Sequence, residues 1–395
     1  MHVNHPIWLR AVSQPGAPVF AILFTLESLA RATLATVIPL QAYVLLQDAR
    51  DVSVLYFAVG VTGLAGSFTI PLLIRRFRRR WVYSMGAVLL IAAALLLASG
   101  TLTGQVSGML VRAFAIASTN IALSLYVMDH IRKRDLVHSE PLKLLFSAAA
   151  WTVGPTLGVY LYRDFGRGAA ELVSAASAAA VLGYFWYLRL KENPAVAAAT
   201  RPPPDPIRSI GRFLAQPRLR LAWVIPFGRS AWWAMFFVYP PLYMIQSGMG
   251  EMAGALLVSA GNAILVLTPL VGRLAGRIGL RRPVIGAFIA AGCLTLLASA
   301  VFAAPLAVAL CLLGGAVAAA VLDALGNIPF LRSVRAYERP QMTTVFRTYI
   351  DFSELLPAGL FALLLSFFDL RAVFIASGLA MLVAAHFARY LPRKM

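Results

Sequence analysis

The chain has 395 residues, of which 60% are apolar and only 13% are charged. Soluble domains carry about 25% charged residues, so there is too little polar surface here to solvate a globule, which excludes a soluble enzyme, a disordered chain and a secreted disulfide scaffold. Thirty-five Lys and Arg against 16 Asp and Glu give a net charge of +19. In a soluble protein that balance would point to nucleic acid; in a membrane protein it reports topology.

Apolar stretches of about 20 residues, the length an α-helix needs to cross a bilayer, recur along the whole chain. Backbone in lipid must satisfy its own hydrogen bonds, so the expected fold class is an all-α membrane protein with twelve transmembrane helices in two six-helix bundles. The first six spans are expected at residues 18–45, 52–74, 81–100, 105–128, 142–162 and 169–188. A polar stretch containing Arg201-Pro-Pro-Pro-Asp-Pro206 follows. The last six spans are expected at 221–246, 252–274, 283–302, 305–330, 342–368 and 372–391. The domains are therefore read as an N-terminal bundle (1–190), a cytoplasmic linker (191–220) and a C-terminal bundle (221–395).

Charges inside a bilayer cost at least ~2.5–3.5 kcal/mol each on insertion scales, so they face cavities or partners. Span one carries Glu27 and Arg31, four residues apart on one helix face. Span four carries Arg112, followed by Ser118, Thr119 and Asn120. Span five contains Gly154-Pro155 and Gly158, where proline removes a backbone donor and the glycines permit close helix contact. Span seven carries Arg229 and the aromatics Trp233 and Tyr239, with Pro240-Pro241 expected to break the helix. Span ten carries Asp323 and Asn327, and span eleven Arg347, Asp351 and Glu354. Glu27 with Arg31 reads as a coupling pair, or as a structural one within the helix. Asp323 reads as a proton carrier or as the partner of a loop arginine. The five histidines fall near termini and loops, and Cys293 and Cys311 lie in apolar stretches, so neither set forms a metal or disulfide framework.

Placing the N-terminus inside puts 27 of the 35 basic residues in inner connections or termini, against four outside and four within spans. This positive-inside bias expects both termini in the cytoplasm of an integral plasma-membrane protein, such as one of a bacterial inner membrane. It accounts for the net charge without nucleic acid and lays basic loops against anionic lipid headgroups.

The two halves echo one another. Pro71-Leu-Leu-Ile-Arg-Arg-Phe-Arg-Arg-Arg80 follows span two, and Gly272-Arg-Leu-Ala-Gly-Arg-Ile-Gly-Leu-Arg-Arg282 follows span eight. Repeated halves are a hallmark of secondary transporters. The second segment is similar to the cytoplasmic signature of the major facilitator superfamily, Gly-x-Leu-Ala-Asp-Arg-x-Gly-Arg-Arg, with Gly276 at the acid position. In the first copy Arg75 stands at the acid position and Arg78 at the second glycine. Ala150-Trp-Thr-Val-Gly-Pro-Thr-Leu-Gly158 resembles the Gly-Pro-x-x-Gly motif of that family's proton-coupled exporters, and Arg112 falls where those exporters place a functional arginine, although the glycines and glutamine that usually follow are absent.

The resemblance implies a monomeric, drug/proton antiporter-like exporter of a small organic solute, driven by protons through alternating access. It implies Glu27, Asp323 and Glu354 as proton-coupling acids, and Arg31, Arg112, Arg229, Asn120, Trp233, Tyr239 and Asn327 as substrate contacts. Gly154, Pro155, Gly158, Gly272, Arg277 and Gly279 are the conformational set. No enzyme activity, cofactor or metal is expected, and the absence of a Walker-type loop argues against an ATP-driven pump. Import or uniport of an organic anion, and lipid flipping by the same fold, stand as alternatives.

Overall fold

The computed structural model describes residues 17–130, 136–188, 206–268, 271, 279–334 and 339–392. Among them the only regular structure is helical. In chain order the helices are α1 (Ala17–Ala32), α2 (Val37–Leu46), α3 (Ala49–Phe77), α4 (Arg79–Ala98), α5 (Leu102–His130), α6 (Leu136–Asp164), α7 (Ala169–Tyr187), α8 (Pro206–Leu214), α9 (Pro217–Gln246), α10 (Glu251–Ala263), α11 (Arg281–Ala300), α12 (Pro305–Leu325), α13 (Ile328–Ser333), α14 (Arg339–Leu365) and α15 (Arg371–Ala388). Ten helical stretches among the described residues are long and apolar enough to cross a bilayer. The other two of the twelve expected spans correspond to α6 and to α10 with its 3₁₀ continuation Ile264–Leu267.

Two expectations about local structure are corrected. The first span is not one helix: α1 ends at Ala32, residues 33–36 form turns, and α2 resumes at Val37. Conversely, Pro240 and Pro241 do not break the seventh span, because α9 runs through them to Gln246. Proline is tolerated in a spanning helix where its neighbours fill the gap. Here Gly254 of α10 provides that fit, since a Cβ at this position would lie 2.7 Å from the Pro241 Cα.

The chain forms two compact units, Met1–Leu45 with Val61–Arg201, and Leu46–Gly60 with Pro202–Met395. In the first, α1 packs on α6 and α7, and α4 on α5 and α7. In the second, α9 packs on α14 and α15, and α11 on α12 and α15. Counted by span, these are the same pairings: first with fifth and sixth, third with fourth and sixth. The echo between the basic turns is thus one part of a repeated helix topology.

Each unit has its own apolar core. Phe20, Leu23, Tyr83, Tyr126 and Phe185 are buried together in the first, and Phe213, Phe330, Phe346 and Tyr349 in the second. Phe213 belongs to α8, so the end of the expected linker is folded onto the second unit. Large apolar side chains such as Leu306, Leu310 and Phe367 stay exposed, as lipid-facing positions require.

The break in the first span is packed from all sides. Gly154 and Gly158 of α6 lie against it: a Cβ at Gly154 would stand 2.5 Å from the Ala32 Cβ, and one at Gly158 would overlap the Thr33 carbonyl oxygen. Side chains reach the carbonyls around the break. Ser174 Oγ donates to Ala30 O at 2.7 Å, Arg112 to Arg31 O at 2.9 Å and Gln105 Nε2 to Ile38 O at 3.1 Å. Freed backbone groups in an apolar setting need such partners.

Candidate functional site

Each unit holds a charge cluster. In the first, the helical spacing of α1 stacks Glu27 and Arg31 on one face. Glu27 is fully buried; its Oε1 accepts a hydrogen bond from Thr119 Oγ1 of α5 at 2.8 Å and lies 3.8 Å from Arg31 Nη1. The Arg31 guanidinium sits 5.9 Å from the centroid of the Trp151 ring of α6. Arg112 is directed at the Arg31 backbone carbonyl, so it supports the break in the first span.

In the second unit, α9 carries Arg229 and α12 carries Asp323. Arg229 Nη1 and Asp323 Oδ1 are 2.8 Å apart, and Trp233 Nε1 donates to Asp323 Oδ2 at 2.8 Å. Arg229 Nη2 donates to Ser230 Oγ at 2.8 Å, and its guanidinium lies 5.7 Å from the Tyr349 ring of α14. Both arginines therefore come from the first span of their unit and lie over an aromatic ring from the fifth. The acids differ in placement. Glu27 shares a helix with its arginine and is held mainly by a neutral hydroxyl, whereas Asp323 reaches its arginine across helices in a direct, charge-assisted contact.

Asp323 is met on both oxygens, by a guanidinium and by an indole N–H, and a proton added to it would weaken its ionic contact with Arg229. Guanidinium groups bind carboxylate and phosphate well, and an arginine over a ring keeps its fork oriented.

The remaining expected residues are spread more widely. Asn120 is half-buried on α5, and Asn327 is exposed where α12 gives way to α13. Glu354 is exposed on α14 and Arg347 likewise, one turn from half-buried Asp351. Trp233 is drawn into the Asp323 cluster. Tyr239 is buried, and its hydroxyl is 2.7 Å from Ser53 Oγ within the second unit. Gly154, Pro155 and Gly158 lie on α6 beside the break in the first span. Gly279 has φ 81°. Gly272 and Arg277 lie outside the described residues. The sequence reading did not single out Trp151, Tyr349, Tyr83 or the Gln41–Glu171 contact; for Glu171, the available signal was a carboxylate two residues into an apolar span.

Among the described residues no group of three His, Cys, Asp or Glu side chains is placed to hold a metal ion. The profile of the Major Facilitator Superfamily matches residues 20–322. No curated protein matches the chain by sequence. Solved structures do match by shape. A POT family transporter in complex with 5-aminolevulinic acid superposes with a TM-score of 0.75 at 14% identity, covering 94% of this chain and 95% of that one. The nucleoside transporter NupG gives 0.71 at 13% identity, covering 94% and 97%. A peptide transporter POT in complex with sulfate gives 0.74 at 12% identity, covering 97% of each.

Proposed function

The chain belongs to the major facilitator superfamily, and from that premise we propose that it is a proton-coupled secondary transporter of a small organic solute that works by alternating access. The observation that carries this reading is the pair of buried charge clusters, one in each unit: Glu27–Arg31 with Thr119 and Trp151, and Arg229–Asp323 with Trp233 and Tyr349. Glu27 and Asp323 carry the proton, with Glu354 next in line. The arginines and Trp233 contact the solute, and an anionic or zwitterionic organic group matches a guanidinium released when its carboxylate is protonated.

Export is the direction favoured by the likeness of Ala150–Gly158 to the exporter motif. Import or uniport of an organic anion is the second reading, and the embedded arginines Arg31, Arg112 and Arg229 favour it. The protein acts as a monomer in a bacterial inner membrane with both termini in the cytoplasm. Cysteine labelling at positions 50 and 208 tests the topology: only the first should react from outside.

The decisive measurement is solute flux in proteoliposomes under an imposed pH gradient, with the panel spanning short peptides, 5-aminolevulinate, nucleosides and lipophilic cations. Glu27→Gln and Asp323→Asn should each abolish flux driven by the pH gradient while leaving solute exchange at equal pH largely intact. If both variants still concentrate solute at the wild-type rate, the proton does not travel by these acids.

A further inference from the structure

The short helix α8 uses its apolar face only in part for packing within the second unit. Its nine residues end two positions before α9. The connection is tight: Ala215 N donates to Gly211 O, and Gln216 N to Phe213 O. The helix packs on α9 and α14. With 3.6 residues per turn, Ile210, Phe213 and Leu214 fall within an arc of about 100°, and Arg212 projects from the opposite side. Phe213 is 2% exposed, in the buried cluster with Leu219, Phe330, Phe346 and Tyr349, whereas Ile210 is 41% and Leu214 55% exposed. A Cβ at Gly211 would meet no atom within 4 Å, so the helix is open on that side.

The basic side chains around this face are exposed as well. Arg212, Arg218 and Arg220 stand open, and none of them forms an ion pair with an acid among the described residues. Arg218 and Arg220 belong to the first turn of α9, whose apolar length Pro217–Gln246 is enough to cross a bilayer. That helix has 30 residues, about 45 Å at 1.5 Å each, so its ends pass beyond a hydrocarbon core of about 30 Å into the headgroup layer. The two-residue connection holds α8 at the same level. A short helix with a narrow apolar face, a basic opposite face and little overall hydrophobicity has the makeup of one that lies in the membrane interface. Acyl chains match the open Ile210 and Leu214, and phosphate matches the three guanidinium groups.

We propose that α8 is a docking surface for anionic phospholipid: Ile210 and Leu214 enter the acyl-chain boundary while Arg212, Arg218 and Arg220 bind headgroup phosphates. Guanidinium forks fit phosphate oxygens, and each basic residue near an anionic surface raises affinity for it about fivefold. Phe213 fastens the helix from the other side. It shares its buried cluster with Phe346 and Tyr349, whose ring centroids are 5.2 Å apart, and Tyr349 is the ring that faces the Arg229 guanidinium. Buried aromatic side chains thus join α8 to the Arg229–Asp323 pair. Docking of this kind requires neither a particular solute nor a coupled proton, so it stands apart from the transport reading.

Quenching by brominated lipid in the reconstituted full-length protein tests the surface. A bimane fluorophore is attached through Leu214→Cys, with Cys293→Ser and Cys311→Ser removing the native thiols. The bilayer is phosphatidylcholine carrying a minor fraction of lipid brominated on the acyl chains near the headgroup. Brominated phosphatidylglycerol should quench the label about fivefold more effectively than brominated phosphatidylcholine. Combining Arg212→Gln, Arg218→Gln and Arg220→Gln should bring the two lipids to equality while the label stays quenched. Ile210→Cys, labelled in the same way, is the second probe if the first disturbs assembly. Equal quenching by the two lipids with the arginines intact, or a preference that survives the triple change, overturns the assignment to anionic lipid. No quenching at either position places the face in water or under another part of the chain, and overturns the docking itself.

Discussion

Arg78 and Gly279 occupy equivalent places after the second and eighth spans, and both have positive φ, 63° and 81° respectively. With ψ at 152°, Arg78 stands in a backbone region that is essentially reserved for glycine and costs an ordinary residue about 1–3 kcal/mol. The repeat has kept the turn in the first half while replacing the residue that suits it. The turn persists because Arg78 must reverse the chain between α3 and α4 in the single step that their short connection allows.

Arg78→Gly should therefore stabilise the protein, by about 1 kcal/mol once the greater freedom of glycine in the unfolded chain is subtracted. Arg78→Ala removes the same charge but keeps the β-carbon, and should give no gain. Melting temperatures of the two variants in one detergent separate strain from charge.

Gly158→Ala places a methyl group where the Thr33 carbonyl oxygen stands. Backbone cannot yield as a flexible side chain does, so a loss of about 1–3 kcal/mol is expected, with transport reduced as α1 and α6 separate. Gly183→Ala is the control, because its Cβ meets no atom within 4 Å. Thermal unfolding followed by intrinsic fluorescence reads both.

The Arg229–Asp323 pair invites a double-mutant cycle. Asp323→Asn or Arg229→Gln alone leaves a charge in a largely apolar setting, and each should cost more than the two together. Breaking one side of a buried pair typically costs about 3–5 kcal/mol; Asp323 is partly exposed here, so the lower end is expected. Additive losses in the cycle would show that the two side chains do not interact energetically.

A neutral counterpart lies within the second unit. Ser53 Oγ and Tyr239 Oη are 2.7 Å apart and buried. Tyr239→Phe leaves Ser53 with only the Ala49 carbonyl and should cost about 1 kcal/mol. Adding Ser53→Ala should then cost little more. Urea or thermal denaturation of the three variants checks the non-additivity.

Much of the fold was legible because length and hydropathy are properties of each segment alone. Twelve apolar stretches, the basic turns and the polar linker follow from counting. The break at 33–36 was not legible, since Thr33–Thr36 are ordinary residues in a spanning helix and what opens them is external: the glycines of α6 and the side chains of Gln105, Arg112 and Ser174. The prolines misled in the opposite sense, because Gly254 accommodates Pro241. Of the candidate site, the spacing of Glu27 and Arg31 foretold their shared face. The rings beside the arginines, Trp151 and Tyr349, required knowing which spans pack together. Glu171 was hidden by its position near the edge of a span, where a carboxylate looks solvated.

The discontinuity in the first span also bears on how the protein is made. Its carbonyls are met by side chains 67, 81 and 144 residues later in the chain. At a synthesis rate of about 5–20 residues per second, the last of these leaves the ribosome roughly 7–29 s after the segment that needs it. Gln105 and Arg112 of the fourth span follow it first and Ser174 of the sixth comes last, so the side chains that meet these carbonyls are complete only when the sixth span has been made. The native shape of the first span is thus a late product of assembly, which makes the amino-terminal unit the part most exposed to failure when translation stops early.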